Sequence, residues 1–130
     1  MVLSTLHTNG AVKAIDRILD SFPTSQLNQV KSQLATILEG IISQQLIPKK
    51  DGSGLILATE IMIVNPAIRN LIREGKHYQI NNLIQNSGSQ GMVSMERTVA
   101  KLCKDDLITK QRALASVNDT KLLETYLKQI

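Results

Sequence analysis

The stretch Asn65-Pro66-Ala67-Ile68-Arg69-Asn70-Leu71-Ile72-Arg73-Glu74-Gly75 decides how the rest of the chain is read. Asn65 carries the short acceptor that suits a helix N-cap. Pro66 suits the first helical position, where its missing N–H costs nothing, and Gly75 suits the position just past the end. The spacing predicts one short, bounded helix over 66–74. Ile68, Leu71 and Ile72 fall on one side of it, and Arg69 and Arg73, four residues apart, share another. A helix of this length is marginal alone, so packing must hold it, and the two arginines are then presented from a fixed platform.

On the N-terminal side, Val2 to Leu6 is an apolar run that reads as a short strand. Thr8 or Asn9 can cap a following helix whose stripe is Ala11, Ala14, Ile15, Ile18 and Phe22, with Lys13, Asp16, Arg17 and Asp20 facing away. After Pro23-Thr24, the positions Leu27, Val30, Leu34, Ile37 and Ile41 recur at spacings of three and four and predict a long helix. Gly40 breaks that pattern, and Ile41 to Ile47 becomes strand-like. Pro48-Lys49-Lys50-Asp51-Gly52-Ser53-Gly54 is a turn cluster, and Leu55 to Val64, rich in aliphatic and β-branched residues, returns as the second strand of a hairpin. Everything after Asn65 reads helical, over roughly 66–74, 77–86, 94–104, 110–117 and 119–129, with Ser94, Thr109 and Asp119 as N-caps.

Composition sets limits. A chain of 130 residues is one domain long and can bury a real core. Leu and Ile together number 32 against one Phe, two Tyr and no Trp, so the interior is aliphatic and stacking platforms for single-stranded nucleic acid are lacking. The net charge of +4 is spread evenly, with no basic run beyond Lys49-Lys50, which argues against nucleic acid as a partner. One cysteine, Cys103, rules out an internal disulfide and a Cys-rich zinc site, and it reads as a small buried hydrophobe. No stretch approaches the length of a transmembrane helix and no signal peptide is apparent, so the chain reads as cytoplasmic.

Few residues invite chemistry. His7 stands where a strand gives way to a helix, a place where α/β folds bind ligands. Glu60 interrupts an apolar strand on the face of Ala58 and Met62, as an edge charge or a partnered buried carboxylate, and reads as structural or interfacial. His77 has no companion at metal-ligand spacing, so no metal is expected. Met92 and Met95 precede Val99 and Leu102 at helical spacing and belong to the core. There is no paired-carboxylate or Ser/His/Asp arrangement.

The string Ala67-Ile68-Arg69-Asn70-Leu71-Ile72-Arg73-Glu74 resembles the signature helix of the type IV pilus retraction ATPases, the twitching-motility PilT family. Ser4-Thr5-Leu6-His7-Thr8 resembles the family's His box. Ser43-Gln44-Gln45-Leu46-Ile47-Pro48 resembles the strand after its long helix. All three occur in the family's order and spacing. The resemblance implies an α/β chain in which residues 1–64 are the C-terminal edge of a RecA-like P-loop ATPase core (a strand, two helices and a β-hairpin) and 65–130 a helical subdomain. It also implies that the parent hydrolyses ATP with Mg as a homo-hexameric motor, peripheral to the inner membrane and engaged with the pilus platform protein. His7 would then lie near the γ-phosphate, where an imidazole can donate to a phosphate oxygen, and Arg69, Asn70, Leu71, Ile72, Arg73 and Glu74 would be coupling residues.

A P-loop ATPase also needs Gly-x-x-x-x-Gly-Lys-[Ser/Thr] to cradle phosphates, and this sequence has none; Gly75-Lys76 is followed by His77 and lacks the upstream glycine. The chain is therefore expected to begin inside the last part of the core and to be inactive alone, with no nucleotide bound. Two alternatives stand beside this reading. An assembly-type pilus or type II secretion motor would commonly carry a four-cysteine zinc insertion near the strand matching Gln44-Gln45-Leu46, whereas here Ile47-Pro48-Lys49-Lys50 runs straight into the turn. A freestanding helical adaptor without ATPase activity would explain the missing P-loop but not three ordered matches.

Overall fold

The computed structural model describes residues 1–129 and contains seven α-helices and one two-stranded antiparallel sheet among them. Helices α1 (Ala11–Leu19) and α2 (Leu27–Ile37) precede strands β1 (Gly40–Pro48) and β2 (Leu55–Ile63). There follow α3 (Pro66–Arg73), α4 (Ile80–Asn86), α5 (Met95–Lys104), α6 (Lys110–Ala115) and α7 (Thr120–Lys128). The four N-caps expected downstream of the hairpin all form: Asn65, Ser94, Thr109 and Asp119 each accept the N–H three residues on.

The hairpin is the scaffold. Its register runs from Gly40 opposite Ile63 to Pro48 opposite Leu55. An Asx contact, from the Ser53 N–H to Asp51 Oδ1 at 2.8 Å, closes the tip. The inner face carries Ser43, Ile47, Ala58, Glu60 and Met62, all buried. Met62 packs into one cluster, with Ile15, Leu34, Ile68, Ile72 and Ile84 from α1 to α4. Ile47 and Ala58 pack into another, with Val99, Ile108, Ala113 and Leu123 from α5 to α7 and their connections. Glu60 and Ser43 face each other in the register between the two clusters. The first cluster takes residues from both sides of position 64, so the hairpin binds the early and late parts of the chain into one body. The outer face leaves Ile42, Leu46, Leu55 and Leu57 exposed.

Three expectations fail locally. Val2 to Leu6 forms no strand: residues 1–8 have no regular structure, and the two hairpin strands pair with each other and with Val93, leaving this run without a ladder partner. The long helix ends at Ile37, which is 70% exposed, because Leu38 turns extended and Gly40 already starts β1. A Cβ at Gly40 would lie 2.9 Å from the Met62 carbonyl oxygen, so only glycine lets the strands approach there. Phe22 is exposed, and Leu19, the last residue of α1, is the one that is buried. Cys103 is half-buried against the second cluster.

Candidate functional site

Two places bear on function: the start of α1 with the segment carrying His7, and the signature helix α3. His7 is exposed at the end of the irregular segment, beside a shallow hollow lined by Thr8, Asn9, Lys13, Asp16 and Arg17. Neither Thr8 nor Asn9 caps α1. The N-cap position is Gly10, at φ 108°, and the first helical N–H, that of Ala11, donates to Glu60 Oε1 at 2.8 Å. The carboxylate on β2 thus caps a helix far away in sequence, and Glu60 is resolved as a partnered buried group.

Next to this contact opens a polar cleft of about 760 Å³ between the start of α1, the inner face of the hairpin, α4, α5 and the α6–α7 connection. Glu60 and Glu96 both line it. Glu96 Oε1 accepts the Asp119 N–H at 3.3 Å, linking α5 to the cap of α7. Burial pushes the Glu96 carboxyl above its usual range, and the neighbouring Glu60 and Asp119 charges add to this against the N–H groups that favour the anion.

The signature helix sits as its caps require. Asn65 Oδ1 accepts the Ile68 N–H at 2.9 Å, and the Lys76 N–H closes the far end on the Leu71 carbonyl at 2.8 Å. Ile68 and Ile72 are fully buried and Leu71 partly so. The six residues assigned above to coupling therefore divide. Leu71 and Ile72 are packing residues, because they lie on the apolar side that holds the helix. Arg69 is turned inward to the end of α2, where its Nη1 donates to the carbonyls of Ala35 at 2.7 Å and Thr36 at 2.9 Å. Asn70, Arg73 and Glu74 remain exposed, with Arg73 donating to Asn70 Oδ1 at 3.0 Å.

His77, just beyond this helix, places Nε2 2.6 Å from Asp16 Oδ1, so α1 and the end of α3 are joined directly. Sequence periodicity had Asp16 facing solvent and gave His77 no partner; the only signal for the pair was the presence of two ionisable residues on elements with no stated contact. Among the described residues no group of three or more His, Cys, Asp or Glu side chains is placed to hold a metal, and no helix is long and apolar enough to cross a membrane. The donors around His7 (imidazole, hydroxyl, amide, ammonium and guanidinium) fit contact with an anion. They do not form a cradle for a whole nucleotide, and the Asp16 and Asp20 carboxylates oppose such a ligand from the same hollow.

The hairpin thus carries two helical clusters, with Asn65 capping the helix that follows it and a His-bearing segment leading into α1. In sequence and fold the chain is similar to part of the retraction ATPases of the twitching-motility PilT kind. The chain is 43% identical over 113 residues to a twitching motility protein of Neisseria gonorrhoeae, covering 87% of this chain and 30% of that protein. It is 46% identical over 113 residues to the type IV pilus retraction ATPase PilT of Pseudomonas aeruginosa, covering 87% of this chain and 33% of the relative. The crystal structure of the pilus retraction motor PilT with bound ADP superposes with a TM-score of 0.80 at 48% identity, over 92% of this chain and 33% of that one. The chain thus spans about a third of the length of the relatives it matches. No protein-family model matches it.

Proposed function

We propose that the chain is the C-terminal part of a hexameric motor that powers type IV pilus retraction by ATP hydrolysis, with residues 1–64 completing the nucleotide-binding core and 65–130 coupling it to the machine. The observation that carries this reading is the match, at 48% identity and a TM-score of 0.80, to a retraction motor that binds ADP. In this reading His7 donates to the nucleotide's terminal phosphate, while Mg and the remaining phosphate contacts are held by a P-loop region that these residues do not supply. Asn70, Arg73 and Glu74, exposed on a firmly anchored helix, meet a neighbouring subunit or the platform protein on the cytoplasmic face of the inner membrane. The short connection from Pro48 to Leu55, with no cysteine, favours retraction over the assembly-type motors.

The test is an exchange. The matching third of the Pseudomonas aeruginosa PilT protein is replaced by this chain in cells lacking their own. Twitching zones and phosphate release should both be restored. A hybrid that folds and assembles but gives no twitching would overturn the assignment to retraction.

A further inference from the structure

Glu60 lies in the middle of the inner hairpin face, 7% exposed, between Ala58 and Met62, which are fully buried. A carboxylate in such a row is costly unless it is hydrogen-bonded. Its Oε1 accepts the Ala11 N–H at 2.8 Å, which places an anion at the positive end of α1. That helix has no other cap: Gly10 offers no side chain, no acidic residue stands in the first turn, and no side-chain cap bond forms. Space does not require the glycine, since a Cβ at position 10 would lie 3.6 Å from Glu60 Oε1, an ordinary contact; its φ of 108° does, because residues with a side chain rarely adopt it.

His7-Thr8-Asn9 runs straight into this junction. The segment has no regular structure of its own, so α1 is the nearest ordered element that can locate the imidazole. The core under Ala11, Ala14 and Ile15 fixes the helix sideways. Glu60 fixes its first turn, and Asp16 ties its middle to His77 behind the signature helix at 2.6 Å.

The geometry points to Glu60 as a positioning residue for His7. It holds the first turn of α1, and thereby the imidazole, in fixed relation to β2 and to the signature helix that follows β2. The inference rests on the reading of His7 given above. Glu60 acts through the helix and makes no contact with nucleotide.

The test uses the intact motor and three substitutions. Glu60→Met removes the acceptor at similar volume, Glu60→Gln keeps an acceptor oxygen, and His7→Ala removes the imidazole. Glu60→Met should lower kcat for ATP on the order of tenfold or more while KM changes little, as expected for displacement of a group that acts after binding. Glu60→Gln should restore most of the turnover. Hydrogen exchange of the Ala11 amide, read independently of activity, should accelerate in the Met variant and stay protected in the Gln variant. In a His7→Ala background, Glu60→Met should cause no further loss of turnover. Should the Met variant not fold, Glu60→Asp withdraws the carboxylate by one methylene and carries the same comparison. Unchanged Ala11 protection, or an equal loss of turnover with and without His7, would overturn the role of Glu60 alone. Full turnover in His7→Ala would instead overturn the reading of His7, and this inference with it.

Discussion

The Arg69 guanidinium lies 2.7 Å from the Ala35 carbonyl oxygen and closes the C-terminal end of α2. It also reaches Thr36 at 2.9 Å, and its second terminal nitrogen stands 3.4 Å from Glu39 Oε1. The last carbonyls of a helix have no partner within it, and a planar cation with several donors answers them and the helix dipole together. The first arginine of the signature helix therefore staples α3 to α2. Its companion Arg73 is exposed and, among the described residues, bonds only within its own helix.

The two arginines should consequently separate in experiment. Arg69→Ala should cost about 1.5–3 kcal/mol of stability, the range for hydrogen bonds to a charged group. Arg73→Ala should cost about 0–1 kcal/mol, as for an exposed charge, yet impair twitching. Chemical denaturation and motility measured on both variants decide this. Equal stability losses would show that the contact to α2 carries no weight.

Ile68 is fully buried in the first cluster, whereas Leu71 is only partly so. Ile68→Ala should destabilise by about 2–5 kcal/mol, with Leu71→Ala at or below the bottom of that range. Reversal of the order in urea unfolding would show that α3 is rotated from the orientation described.

The 130-residue chain alone should neither bind MgATP tightly nor hydrolyse it. One imidazole and its polar neighbours cannot replace the backbone cradle and metal-holding carboxylate of a phosphate site. Calorimetry with MgATP is the measurement. Micromolar binding with sustained phosphate release would contradict the proposed division of labour.

Glu96 supplies a pH prediction. Its carboxyl is raised chiefly by burial, so the folded chain holds that proton more tightly than the unfolded chain does. The associated stability is present at acid pH and is lost as pH rises through the ordinary carboxylate range and past the raised value. Glu96→Gln keeps an oxygen for the Asp119 N–H without the charge. It should melt higher than the wild type near neutral pH, and the gain should vanish in acid. A gain independent of pH would assign the effect to packing.

What the sequence determined by itself is local. Asn65, Ser94, Thr109 and Asp119 cap their own helices, and Asp51-Gly52 turns the hairpin, because each device works within a few residues of backbone. Alternation along β2 likewise placed Glu60 on one face with Ala58 and Met62, a face the structure buries. The tertiary structure alone decided what those residues meet. Periodicity gives a side chain its face but not the element opposite. Arg69 therefore read as a coupling residue sharing a face with Arg73, and Thr8 or Asn9 as the cap that Glu60 in fact supplies. Val2 to Leu6 had strand composition, yet a strand exists only where another pairs with it, and among the described residues the hairpin strands pair with each other and, at Ile61, with Val93, but not with this run. The joining of α1 to the turn after the signature helix through Asp16 and His77 was beyond local reading for the same reason, since a hydrogen bond between distant elements depends on the packing that brings them within 2.6 Å.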